Sequence, residues 1–326
     1  MSDHLRDEID PDVARLLQIS HATDSARVTE MTPADARAWA TRTSPKPRQP
    51  WTVPLVEDRR IPSTGGTLGV RLYHPAPGAT RPLIVYFHGG GWVLGTVERA
   101  DSIARRLCVE TDAAVVSVEY RLAPEHPFPA GPQDAIDATA HCLDHAREFG
   151  GDPRRVAVAG DSAGGHLAAV AALGVRDRPG PSLALQYLIY PIIDDDPTYQ
   201  SMRSNGSGRL LERDGITWFW NHFCPDPADR SDWRAVPLRA PTLAGLPTCV
   251  MTLAAHDPLL GEGLAYGRRL EDVGVRTTIR IARDLVHGYV AFESASERCH
   301  RRIGEDHRIV AALLHHDGRP QAGPES

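Results

Sequence analysis

The stretch Arg155-Val156-Ala157-Val158-Ala159-Gly160-Asp161-Ser162-Ala163-Gly164-Gly165, followed by an alanine-rich run to Val175, changes character at one point. Before Gly160 lies a short apolar run of strand length, and after Ser162 the pattern suits a buried helix. Between them the chain must reverse sharply, and small residues on either side of Ser162 allow that without a clash. Such a strand-turn-helix lifts a serine hydroxyl to the edge of a sheet. Ser162 is therefore the candidate nucleophile, and the strand before it is expected to lie inside a sheet.

Working outward, short apolar runs alternate with helical segments. Upstream come Leu83 to Phe87, a helix near Asp101 to Thr111, Ala114 to Val118 and a helix from Gln133 to Phe149. Downstream come Leu185 to Tyr190, Val250 to Ala254, a helix from Glu262 to Asp272, Thr277 to Ile281 and a last helix from Ser296 to His315. Runs apolar on both faces and separated by helices predict a mostly parallel, doubly wound α/β sheet. Ser63-Thr64-Gly65-Gly66-Thr67, between Arg59 to Pro62 and Val70 to His74, predicts an antiparallel hairpin at the start.

Two segments break the rhythm. Residues 1–50 hold helical patterns at Val13, Leu16 and Leu17 and again from Thr32-Pro33, and residues 192–240 hold a Gly/Ser loop and Trp218-Phe219-Trp220. They are either peripheral packing or a cap over the site, since long excursions from α/β domains tend to build lids. The chain thus divides into 1–50, 51–191, 192–240 and 241–326, the second and fourth forming one core. As a cap, Leu16, Leu17, Trp218, Phe219 and Trp220 would close an acyl pocket.

A serine needs a base, and the base needs an acid that fixes its tautomer. In folds built around such an elbow the chain order is serine, acid, histidine. Asp257 follows the run Val250 to Ala254, and His287 follows Thr277 to Ile281, so these two are assigned as acid and base. His256 adjoins the acid itself, Asp284 stands too near His287 in sequence to support it, and Glu262 lies one turn beyond Asp257. After the strand ending at Phe87, His88-Gly89-Gly90-Gly91-Trp92 supplies backbone amides unobstructed by Cβ atoms, suited to a developing oxyanion. Gly90, Gly91 and Ala163 are the expected donors, with Trp92 and Trp218 as substrate-contacting side chains.

Composition excludes several alternatives. A net charge of −6 spread along 326 residues offers no basic stripe for nucleic acid. The acidic start MSDHLRDEIDPDVARLL and the absence of an apolar run of about 18 residues lead us to expect neither secretion nor membrane insertion. Five scattered cysteines, none in CxxC spacing, suit a reducing cytoplasm. No metal or organic cofactor is expected, and Asp194-Asp195-Asp196 reads as a solvated turn rather than a calcium site.

The motifs together resemble those of the hormone-sensitive-lipase-like bacterial esterases, in the branch with GDSAG at the nucleophile. The resemblance rests on HGGGW at 88–92, YRLAPEHPFPA at 120–130, GDSAGG at 160–165, Tyr190-Pro191, Trp218-Phe219-Trp220, Asp257-Pro258-Leu259 and His287-Gly288-Tyr289. It implies an α/β-hydrolase fold with an eight-stranded sheet, a helical cap made of residues 1–50 and 192–240, and carboxylic ester hydrolysis on Ser162 with Asp257 and His287. A small-molecule ester is the implied partner, with acyl transfer by the same residues or a non-catalytic receptor as alternatives, and a homodimer left open. Two departures stand out: Leu260-Gly261 replaces the family's usual charged pair, and Tyr289 stands where Phe is commoner, adding a hydroxyl near the site.

Overall fold

The computed structural model describes residues 7–23, 27–43 and 51–316. Parts of the expected cap segment, at 1–6, 24–26 and 44–50, lie outside the described residues. Two helices open the chain, α1 (Pro11–Thr23) and α2 (Pro33–Thr43). Thr32 caps α2 as its sequence suggests, its Oγ1 accepting from the Asp35 amide at 3.2 Å and donating to the Asp35 carboxylate at 2.7 Å.

The body follows as β1 (Leu55–Ser63), β2 (Gly66–His74), β3 (Arg81–Phe87), α3 (Asp101–Thr111), β4 (Ala114–Glu119), α4 (Ala130–Asp144), β5 (Gly151–Asp161), α5 (Ala163–Val175) and β6 (Leu185–Ile189). The excursion carries α6 (Gln200–Asn205) and α7 (Arg213–Phe223), after which come β7 (Thr248–His256), α8 (Leu260–Asp272), β8 (Thr277–Val286) and α9 (Glu297–His315). The eight strands form one sheet in the order β1-β2-β4-β3-β5-β6-β7-β8. The β1–β2 and β2–β4 pairs are antiparallel, and every later pair is parallel.

Register explains the unbroken apolar runs. Val85 pairs with Val116 of β4 and Val158 of β5, so the central strands lie level with one another. Along β3, Leu83, Val85 and Phe87 enter the core under α4 and α5, while Ile84 and Tyr86 enter the core under α3 and α9. A strand covered on both faces has no side to spare for polar residues. Helix α5 is likewise buried all round, with every residue but Gly174 buried. Val13 and Leu17 of α1 join the core under α3 and α9, a burial worth roughly 1.5–3 kcal/mol per side chain. Ala36 and Ala40 of α2 join the opposite core.

Two elements differ from the sequence reading. The helix expected over Gln133 to Phe149 begins earlier and stops at Asp144, where a 3₁₀ turn (Ala146–Phe149) and left-handed Gly150, φ 70°, redirect the chain. Strand β8 runs five residues past Ile281, through Arg283 and Asp284. As an edge strand it tolerates charge, and Arg298 of α9 binds Asp284 at 2.6 Å.

Candidate active site

Ser162 sits between β5 and α5 at φ 56° and ψ −118°, a conformation costly for any residue with a side chain. The glycines around it allow the turn. A Cβ on Gly160 would stand 2.2 Å from the Gly164 carbonyl oxygen, and one on Gly164 would stand 2.0 Å from that of Phe87. The turn is pinned by the Ser162 amide, which donates to Ile189 at the end of β6 at 2.9 Å.

Parallel strands deliver the other groups to the same sheet edge. Asp257 follows β7 directly and His287 follows β8, with His256 and Val286 in register as the last pair. His287 Nε2 lies 2.9 Å from Ser162 Oγ, and His287 Nδ1 lies 2.7 Å from Asp257 Oδ2. Asp257 is buried, and its other oxygen accepts from the Leu259 amide at 2.8 Å. A carboxylate at Nδ1 selects the Nδ1–H tautomer and leaves Nε2 to accept the serine proton. The competitors point elsewhere: His256 Nε2 meets the Asp7 carbonyl at 2.8 Å, and Asp284 is held by Arg298.

The glycine loop is tied to the same turn. Asp161, beside the serine, accepts from Tyr86 Oη at 2.6 Å and from the Gly89 amide at 3.0 Å, while burial pushes its carboxyl above the usual range. Tyr120 Oη donates to the His88 carbonyl at 2.8 Å, and burial holds His88 down to about 4. Gly90 and Gly91 follow at φ 125° and 59°, left-handed values that favour glycine. Among the described residues neither of their amides donates to a backbone or side-chain acceptor, and both residues line the same hollow as Ser162. Ala163 contributes the first amide of α5, at the helix end where N–H groups lack intrahelical partners.

That hollow has a volume of about 310 Å³. Trp92 lines it, with its buried ring stacked 4.1 Å from Phe223 and its Nε1 donating to His166 Nδ1 at 3.0 Å. Trp218 does not line it; its ring packs on Phe219 and His222 instead. Of the five bulky groups expected to close the pocket, Phe219 alone is on the wall, joined there by Leu210, Leu211 and Ile216. A helix turns successive residues about 100° apart, so only one of three adjacent aromatics can face the hollow. Leu17 lies instead with Trp39 in a groove on the far side of Phe219.

The aspartate turn is braced from the excursion, by groups with no local sequence signal. Asn205 Nδ2 donates to the carbonyls of Ala255 and Asp257 at 3.1 and 3.0 Å, and Ser201 Oγ donates to that of Pro258 at 2.7 Å. Where the charged pair is replaced, the Gly261 amide donates to Ser201 Oγ at 2.9 Å, and a Cβ there would meet the Tyr199 ring at 2.8 Å. Glu262 accepts from the Ile193 amide at 2.7 Å, and burial pushes its carboxyl well above its usual range. The Tyr289 hydroxyl is directed away from the hollow towards Asp306, 3.4 Å distant, so it adds nothing to the site. Asp195 is bound by Arg239 at 2.6 Å, and among the described residues no three His, Cys, Asp or Glu side chains converge as a metal requires.

Comparison with known proteins places this geometry. A family model for the alpha/beta hydrolase fold matches residues 84–291, a span holding the glycine loop, the elbow, Asp257 and His287. The carboxylic ester hydrolase LipN of Mycobacterium tuberculosis is 41% identical over 241 residues, covering 72% of this chain and 64% of LipN. Carboxylesterase NlhH of the same organism is 40% identical over 266 residues, or 80% of this chain and 83% of NlhH. The solved structure of a thermostable esterase from Pseudomonas putida matches with a TM-score of 0.91 at 29% identity, across 95% of this chain and 99% of that one. With likeness of this extent in both sequence and structure, the chain belongs to the alpha/beta hydrolase fold family, in its hormone-sensitive-lipase-like branch.

Proposed function

We propose that this chain is a serine carboxylesterase that hydrolyses short- to medium-chain carboxylic esters through an acyl-enzyme on Ser162. The observation that carries the reading is the hydrogen-bonded relay from Ser162 Oγ through His287 to buried Asp257, at 2.9 and 2.7 Å. Ser162 Oγ attacks the ester carbonyl while its proton passes to His287 Nε2. The carbonyl oxygen becomes an oxyanion facing the amides of Gly90, Gly91 and Ala163. When the bond to the alcohol breaks, His287 returns the proton to the leaving oxygen. Water then loses a proton to His287 and attacks the acyl carbon, and the reverse proton transfer releases Ser162 and the carboxylic acid. The imidazolium formed on the way is stabilised by Asp257.

Chain length follows from the wall. Each buried acyl methylene contributes roughly 0.8 kcal/mol until the chain reaches Leu210, Leu211 and Phe219. Residues 192–240, with Leu17, Val28 and Trp39 of the N-terminal segment lining the groove behind Phe219, act as the cap in this reading. A cytoplasmic setting is supported by five free, buried cysteines, and among the described residues no helix is long and apolar enough to cross a membrane.

The test is a series of p-nitrophenyl esters from acetate to palmitate on wild type, Ser162→Ala, His287→Ala and the double variant. Wild-type kcat/KM should peak at roughly four to eight acyl carbons. Each single variant should lose roughly 10⁴- to 10⁶-fold in kcat, and the double scarcely more, because the residues act as a unit. Losses that multiply in the double variant would remove the assignment.

A further inference from the structure

The hollow around Ser162 is backed by a larger one, and the wall between them is one side chain thick. The second hollow has a volume of about 800 Å³, against about 310 Å³ for the first. Among the described residues, Leu210, Leu211 and Phe219 line both, so their side chains form the partition. Leu210, on the loop between α6 and α7, is 45% exposed and stands at its outer edge. Phe219 stands at the inner end. A Cβ on Gly91 would meet its ring at 2.1 Å, so the ring lies directly on the glycine loop that faces the oxyanion in the esterase reading.

Beyond the ring, the N-terminal segment supplies Leu17, Val28 and Trp39. Leu17 is buried, whereas Arg27, Arg213 and Asp214, which line the second hollow too, are exposed. The groove is thus charged at its mouth and apolar within. The partition itself is carried by a helix anchored at other residues. Helix α7 buries Gly215, Ile216, Trp220 and Phe223, and the rings of Trp220 and Phe223 pack on Trp92 at 4.9 and 4.1 Å. Gly215 lies against the N-terminal segment, where an added Cβ would stand 3.5 Å from Val28 Cγ1. With α7 held at these points, trimming the Phe219 ring leaves a gap that its surroundings close only in part.

We propose that Phe219 sets the limit on acyl length, and that the groove behind it is a distal acyl subsite which the ring closes to the substrate. This deepens the esterase reading and rests on it. It makes Phe219 a specificity-determining residue with no part in bond making. An acyl chain growing from Ser162 stops at the ring. With the ring removed, further methylenes enter the groove towards Leu17 and Trp39, each worth about fourfold in kcat/KM while it finds apolar surface.

The experiment compares kcat/KM for p-nitrophenyl laurate and butyrate, without detergent, on the wild type, Phe219→Ala, Phe219→Leu and Ile103→Ala. Ile103 of α3 lines the Ser162 hollow but not the groove, so trimming it enlarges the hollow without opening the partition. The ratio of laurate to butyrate should rise about tenfold or more in Phe219→Ala and about threefold or more in Phe219→Leu. In Ile103→Ala it should stay within about threefold of wild type. The ratio is the readout because the ring also rests on Gly91, and its loss can slow every ester alike. Phe219→Leu keeps a side chain in that place and carries the test if Phe219→Ala does not fold, which thermal unfolding shows. A rise in Ile103→Ala equal to that in Phe219→Ala would make chain length a matter of volume alone and overturn the proposal. Ratios within about threefold of wild type in both Phe219 variants would overturn it too. If the wild type hydrolysed neither ester, the esterase reading would fall first; hydrolysis with a ratio indifferent to residue 219 would overturn this inference alone.

Discussion

Ser162 and its neighbours were legible as a motif because the elbow demands glycine within two residues, a local requirement that leaves a local trace. Asp161 and His166, four and fewer residues from the serine, hold the glycine loop through partners more than 70 positions away, and nothing in their sequence setting announces that. His166 makes the consequence measurable. Trp92 Nε1 can only donate, so His166 Nδ1 must accept, and its Nε2–H donates to the Ala235 carbonyl at 3.0 Å. Protonation would set two donors against each other, and burial holds this histidine from 6.5 down to about 3. Between those values the unfolded chain binds the proton and the native one does not, so stability is fully present above about 6.5 and falls as pH drops towards 3. The slope from one such group is about 1.4 kcal/mol per pH unit. Carboxyls such as Glu262, whose native pKa is raised, act in the opposite sense, so the informative quantity is a difference. Urea unfolding at pH 7, 6, 5 and 4.5 should show His166→Gln less stable than wild type at pH 7 but losing stability less steeply below 6.5. Parallel pH dependences would contradict the role given to His166.

Among elements, those flanked by short turns were readable almost to the residue: α3 and α5 begin and end where the apolar period does. Strand β8 was cut short in the sequence reading because Arg283 and Asp284 look like a loop until α9 is folded against them. The six-residue helix α6 was invisible, since Gln-Ser-Met-Arg-Ser-Asn has no apolar period and gains its place from hydrogen bonds to the Asp257 turn. That bracing predicts a kinetic phenotype. Asn205→Ala leaves two buried carbonyls without their donor and frees the turn that aims Asp257 at His287. A displacement there of about 1 Å costs on the order of 100-fold, so kcat should fall by roughly 10- to 100-fold with KM little changed. Steady-state kinetics on a short-chain ester, with thermal unfolding run beside it, checks this; an unchanged kcat in a folded variant would reduce α6 to packing.

For the whole molecule, alternation of strands and helices in the sequence sufficed to give a doubly wound sheet, because each crossover has one favoured hand and each central strand two covered faces. The same logic could not say which side chains of the two segments outside the strand-helix rhythm face the hollow, since a helix placed by long-range packing carries no mark of its rotation. Hence Phe219 reaches the wall while Trp218 and Leu17 do not. What the sheet accomplishes is to bring residues 162, 257 and 287, dispersed over 125 positions, into one hydrogen-bonded line at its edge. The central claim is that this line activates Ser162 and no other residue as a covalent nucleophile. Intact mass and peptide mapping after treatment with p-nitrophenyl ethyl butylphosphonate test it most directly. The wild type should gain a single phosphonyl group, on the peptide containing Ser162 and in step with loss of esterase activity, while Ser162→Ala should gain none. Labelling of a different residue, or equal labelling of Ser162→Ala, would contradict it.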